Sequence, residues 1–143
     1  MPIEIYAIQA VIDRYFYSLD RRMPKLLRSC FSDDAIYRSS AGLLDLDGAA
    51  AIEARLGQGA ANFASTSQIR GSQAVDVEGN SATADTFAIA YLLDSVKVGG
   101  QLTIRGIQYL DVLDRRGGVW LIVERRHHTL WQYEARAVTP MVV

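Results

Sequence analysis

The stretch WLIVERRHHTLW, residues 120–131, begins like a buried strand and then turns polar between two tryptophans. Trp120, Leu121, Ile122 and Val123 run into Glu124, Arg125, Arg126, His127 and His128, and Thr129, Leu130 and Trp131 follow. Both histidines of the chain lie here. Residues two apart in a strand share a face. One set is therefore Leu121, Val123, Arg125, His127 and Thr129, and the other is Trp120, Ile122, Glu124, Arg126 and His128. Each set mixes polar and apolar side chains. That suits a sheet holding a pocket on one side and a partner subunit on the other. Adjacent histidines on opposite faces would not chelate one ion together.

Upstream, QLTIRGIQYLDVL reads as a strand joined to this one through DRRGG, a hairpin. Thr103, Arg105, Ile107, Tyr109 and Asp111 share one of its faces. STSQIRGSQAVDV and SATADTFAIAYLL are two further strands, separated by the breakers of EGN, and VGG precedes the next. Helical spacing comes earlier. Ile5, Ile8, Ile12, Tyr15, Phe16 and Leu19 make one apolar stripe, which Asp20 extends. Pro24 suits the first turn of a short helix running to Phe31. SDD then makes a turn, AIYRSS a short strand and LLDL its partner. A third helix, GAAAIEARL, has Asp47 as N-cap and Gly57 as its close. Three helices followed by a long antiparallel meander are the α+β pattern. Such a sheet, covered by helices on one face, curls into a cone whose open end leaves a cavity.

The chain has 143 residues, half of them hydrophobic, with 15 basic and 16 acidic side chains. One domain is expected, with a core over residues 3–133 and a tail over 134–143. The near balance of charge argues against a nucleic-acid coat. No apolar run is long enough to span a membrane, and the N-terminus does not read as a signal peptide. The single cysteine, Cys30, suggests a reducing compartment, so the cytoplasm is expected. No metal-ligand spacing, phosphate loop or GxSxG motif appears, and no cofactor or metal is expected. The apolar tail ARAVTPMVV fits packing across a subunit contact.

The order of these pieces resembles the SnoaL-like branch of the nuclear transport factor two-like superfamily. The resemblance rests on YFYSLD, FSDDAIY, GLLDLDGAAAIEARL, STSQIRGSQAVDVEGNSATADTFA, RGIQYLDVLDRRGGVWLIVER and the closing Trp131. It implies an α+β cone with a deep apolar pocket. It also implies a homodimer or homotrimer, and kinship with dehydratases, dehydrochlorinases, ketosteroid isomerases, polyketide cyclases and non-catalytic dioxygenase subunits. Asp20 matches the acidic residue that orients a catalytic histidine in dehydratase-like members. The histidine's own position is occupied here by Gln68, and an amide has no useful titration. Arg125 matches an inward arginine of functional weight, and alternation then turns His127 and Thr129 inward. Tyr15, Tyr37, Phe87, Ile89, Tyr91, Arg105, Ile107, Tyr109 and Trp131 become candidate wall residues.

The resulting catalytic candidates are Asp20, His127 and Arg125. Asp20 reads either as a cap of the following turn or as a pocket group, and Arg125 either as its structural partner or as its catalytic one. His127 reads as a wall residue or a base, since an imidazole near pKa 6.5 suits proton transfer. Arg105 is placed to hold an oxyanion or carboxylate. The first functional reading is a cofactor-independent lyase. It would eliminate water, or a fragment such as formaldehyde, from an apolar, aromatic, hydroxylated substrate. An isomerase or cyclase on a steroid- or polyketide-like ketone is the second. A non-catalytic ligand-binding or assembly domain is the third.

Overall fold

The computed structural model describes residues 2–40, 42–94, 100–136 and 138. The first helix, α1 (Pro2–Asp20), buries Ile8, Val11, Ile12, Tyr15, Phe16 and Leu19. Their three- and four-residue spacing stacks them on one face. Glu4, near its start, accepts hydrogen bonds from Trp120 Nε1 at 2.6 Å and Arg115 Nη1 at 2.9 Å. Asp20, at its end, accepts from Thr66 and Gln68 at one edge of the sheet. The helix thus lies pinned at both ends.

Pro24 opens α2 (Pro24–Ser29), where its missing N–H loses no helical bond. The expected turn at SDD is already strand: β1 spans Phe31–Ser39 and pairs antiparallel with β2 (Asp45–Asp47). Two expectations for α3 (Ala49–Ala61) need correction. Its N-cap is Gly48 at φ 93°, not Asp47, whose carboxylate accepts Arg38 Nη2 at 2.8 Å. Gly57 does not close it. Glycine in a helix costs about 1 kcal/mol relative to alanine, and the alanine-rich flanks carry the helix on to Ala61.

Four long strands follow: β3 (Ser65–Glu78), β4 (Ser81–Leu93), β5 (Leu102–Arg116) and β6 (Val119–Ala135). They form the expected antiparallel meander. Gly117 and Gly118 make the β5–β6 turn at φ 58° and 79°, the left-handed pair that a two-residue hairpin needs. The whole sheet is nevertheless mixed. Its order is β2-β1-β6-β5-β4-β3, with β1 parallel to β6. It curves without closing, so β2 and β3 remain edges. The helices pack on its inner face, α1 against β3 and β6, α3 against β1.

Alternation identifies that inner face. On β4, Ala82, Ala84, Thr86, Ala88, Ala90 and Leu92 are all buried. Phe87, Ile89 and Tyr91 alternate with them and occupy the outer face, against expectation. Most of the inward residues of β4 are small, and Thr86 among them pairs with Tyr109 on β5, whose large ring packs against Phe16 of α1. Two β-bulges rewrite the reading of β6. Val123 is unpaired between the Leu113–Ile122 and Val112–Glu124 pairs, and Leu130 between Ile107–Thr129 and Gly106–Trp131. Each extra residue flips the alternation. Trp120 and Ile122 are therefore buried inward, where Leu121 and Val123 were expected. Beyond the second bulge Trp131 turns outward and stacks on Gly106, where a Cβ would run into its indole. Most of the tail expected at a subunit contact lies outside the described residues.

Candidate functional site

Between the bulges, alternation holds. Arg125, His127 and Thr129 pair with Asp111, Tyr109 and Ile107 and share the inner face. Arg125 is wholly buried. Its Nε and Nη2 donate to the two Asp111 oxygens at 2.6 and 2.7 Å, a bidentate ion pair with both side chains out of solvent. The guanidinium carbon sits 4.2 Å from the ring centre of Tyr15 and 4.4 Å from that of Tyr109. Two negative ring faces thus sandwich the cation. Burial opposes its charge, and Asp111 more than offsets this, raising its pKa above the ordinary arginine value. Nη1 is buried without a hydrogen-bond partner among the described residues.

Asp111 is the residue that sequence reading missed. It stood on the same face as Tyr109 but was given no role. Counting rung by rung from the Gly117–Gly118 turn sets Asp111 opposite Glu124. Only the bulge at Val123 moves Arg125 into that place. The expected partnership of Arg125 with Asp20 is corrected accordingly.

Above this pair lies an aromatic layer. The hydroxyls of Tyr15 and Tyr37 are 3.1 Å apart, both buried. Burial raises the pKa of Tyr15, Arg125 offsetting part of the rise, and raises Tyr37 and Tyr109 well above the phenolic range. All three stay neutral phenols. His127 stands against this layer, its ring centre 5.2 Å from Tyr109 and 6.2 Å from Tyr37. It is partly exposed. Burial first, then the Arg125 charge, holds its imidazole down at about 4. At neutral pH it carries no charge and keeps a basic nitrogen.

Asp20 sits elsewhere. Its carboxylate accepts Thr66 Oγ1 at 2.9 Å, the Gln68 backbone N–H at 2.8 Å and the Gln68 amide nitrogen at 3.4 Å. Asp20 and Gln68 therefore do meet, as their places in the resemblance imply. They do so in a polar groove of about 540 Å³ between α1 and β3, which Asp13, Tyr17, Arg21 and Arg70 also line. The expected convergence of Asp20, Arg125 and His127 in one hollow does not occur. The deep interior is filled by Tyr15, Tyr37, Tyr109 and Arg125, with the Tyr15 and Tyr109 rings edge to face at 5.9 Å. Ile107 lines the inner face but is buried, Arg105 lies further along the same row, and Thr129 is exposed. Phe87, Ile89, Tyr91 and Trp131 face outward. Among the described residues, no three His, Cys, Asp or Glu side chains gather where they could hold a metal.

This architecture has relatives. Residues 4–126 match the profile of the SnoaL-like domain. The chain belongs to the SnoaL-like domain family. Among solved structures, it is similar to a provisionally named scytalone dehydratase from Novosphingobium aromaticivorans, at 24% identity and a TM-score of 0.82, covering 97% of this chain and 93% of that one. A hexachlorocyclohexane dehydrochlorinase from Novosphingobium barchaimii matches at 16% identity and a TM-score of 0.82, covering 96% of each chain. A nuclear-transport-factor-two-like protein with a cystatin-like fold, also from Novosphingobium aromaticivorans, matches at 24% and 0.74, covering 87% of this chain and 80% of that one. At such identities the likeness is one of fold. No curated protein sequence gives a significant match. Among the described residues, no helix is long and apolar enough to cross a membrane.

Proposed function

We propose that this SnoaL-like protein is a small lyase that needs no cofactor and eliminates water, or a fragment such as formaldehyde, from a hydroxylated aromatic substrate. The observation that carries this reading is His127, an uncharged imidazole on an aromatic inner wall, partly open to solvent and backed by a buried cation. The dehydratase and dehydrochlorinase among its structural relatives catalyse eliminations by name, which supports the reaction class.

One imidazole serves both halves of an elimination. Neutral His127 accepts a proton from the carbon next to the leaving hydroxyl. The imidazolium formed is a strong acid for its kind, because burial and Arg125 disfavour its charge. It returns the proton to the departing oxygen, which leaves as water. The carbon–hydrogen electron pair becomes the new double bond. Such a base is weak, so the substrate must help. Where a phenolic hydroxyl is conjugated with the leaving group, the order changes. His127 takes the phenolic proton and passes it to the departing oxygen, and the phenolic electron pair expels water to give a quinone methide. His127 then carries the C–H proton to the quinone-methide oxygen, which restores the phenol and leaves the new double bond. Asp20 enters as a positioning carboxylate, since three donors occupy its oxygens.

A second reading, a ligand-binding domain without turnover, is favoured by Gln68 in the histidine position of the resemblance. Phenolic diols, β-hydroxy ketones and unsaturated ketosteroids, followed by ultraviolet absorbance, separate the readings. Elimination gives new conjugation with release of water or formaldehyde. His127→Gln is expected to slow it roughly 10²- to 10⁴-fold. Movement of a double bond without release marks an isomerase, and tight binding without change marks the binding domain. Turnover unaffected by His127→Gln would remove the proposed base.

A further inference from the structure

The inner face also carries Arg105, a cation that the lyase chemistry does not use. Gln68, Ala90, Arg105 and Gln132 are successive register partners across β3, β4, β5 and β6. They form one row of inward positions at the Asp20 end of the sheet. Neighbouring strands lie about 4.8 Å apart, so Arg105 and Gln68 stand roughly 10 Å from each other, with the buried Ala90 on the strand between them. Arg105 therefore shares a level with the Asp20–Gln68 contact.

Arg105 is half-buried, and its Nε donates to Gln132 Oε1 at 2.8 Å. That bond fixes the side of the guanidinium and leaves the Nη1–Nη2 edge facing away from Gln132. Among the described residues no carboxylate lies within ion-pair distance of it. The nearby acids have other partners. Asp20 is taken by Thr66 and Gln68, and Glu134 accepts the Gln132 amide at 3.3 Å. Contrast Arg125, whose charge is fully matched by Asp111. Arg105 also adds positive potential at His127. Along β5 it stands four residues from Tyr109, the partner of His127, roughly 13 Å at strand rise. An arginine side chain spans part of that gap and one aromatic ring much of the rest. The open approach runs along β6, where His127 is partly exposed and Thr129 and Gln132 are exposed, since Ile107 is buried.

We propose that Arg105 is a specificity residue and that the site takes an aromatic acid, whose carboxylate docks on the Nη1–Nη2 edge while the ring extends toward His127. A guanidinium edge offers two parallel donors at the spacing of a carboxylate's oxygens, which an ammonium or an amide does not. Orienting the ring toward His127 rests on the lyase reading, but the carboxylate site does not.

The test uses binding alone, so it stands even if no turnover is found. 4-Hydroxybenzoate and its uncharged twin 4-hydroxybenzamide are titrated into the protein by NMR, following the amides of Ala90, Gly106 and Gln132. The acid is expected to bind at least about tenfold more tightly, with an advantage that shrinks as salt rises. Arg105→Gln abolishes the preference while leaving the amide's affinity in place. Arg105→Lys keeps only part of it, because it restores charge without the fork. Spectra of each variant confirm an unchanged fold. Equal affinity of acid and amide in the wild type, no binding of either, or a preference that survives Arg105→Gln would overturn the proposal.

Discussion

Two carboxylates at two depths show what burial does to the same functional group. Asp20 lies at the end of α1, partly exposed, with its oxygens met by a hydroxyl, a backbone N–H and an amide. Asp111 lies in the interior with both oxygens met by one guanidinium. Neutral donors suffice where water can help solvate the charge. In the dry interior a full countercharge is required, because an isolated ion there would carry several kcal/mol of desolvation. The partly exposed carboxylate is held by neutral donors, whereas the buried one is committed to Arg125. Through Arg125 it also shapes the field that His127 feels.

The largest expected effect comes from removing the buried countercharge. Asp111→Asn leaves Arg125 enclosed and unpaired, and is expected to cost about 3–5 kcal/mol in urea unfolding. The double change Asp111→Leu with Arg125→Met should recover most of that loss, since it removes both charges together. A loss below about 1 kcal/mol in the single variant would break the contrast between the two sites.

Next in size is a pH effect. The His127 imidazole titrates at about 4 in the folded protein and near 6.5 when unfolded. Between those values the unfolded chain binds the extra proton. Stability is therefore full above about pH 6.5, falls as pH drops toward 4, and has no further contribution from this group below it. The total is on the order of 3 kcal/mol. Urea titrations at several pH values should show this slope in the wild type and its loss in His127→Gln. The same low pKa places the acid limb of any His127-dependent activity near 4 instead of 6.5.

Asp20→Asn should cost less than either, roughly 1.5 kcal/mol, because solvent can partly satisfy the Thr66 and Gln68 donors. A cost matching Asp111→Asn would mean that the shallow site is as dry as the deep one. Smallest is Tyr37→Phe, about 1 kcal/mol, which leaves the Tyr15 hydroxyl without its partner. The variant also tests whether the tyrosine layer holds the His127 ring, read as a shift in the imidazole titration by NMR.

Much of the fold is written locally. The apolar spacing of α1, the glycine pair at 117–118 and the alternation of β4 each specify their element through nearest neighbours, and these were legible. The family match follows from the order of the same pieces. The inward placement of Arg125, His127, Tyr37 and Tyr109 was likewise available from alternation and resemblance. Phe87, Ile89, Tyr91 and Trp131 were misplaced because hydrophobicity marks a side chain as wanting cover without saying which face supplies it.

By itself, then, the sequence determined which elements form, their order and the α+β class, though not every bound, and the nearness of Asp20 to position 68 came from the family resemblance. Tertiary structure alone decided that Asp111, and not Asp20, neutralises Arg125. It also decided that β1 runs parallel to β6 and that alanines rather than aromatics line the inside of β4. The reason is physical. A single unpaired residue, Val123 or Leu130, reverses every side chain beyond it. What holds such a bulge in place is the packing of distant strands and a helix, which no local pattern records.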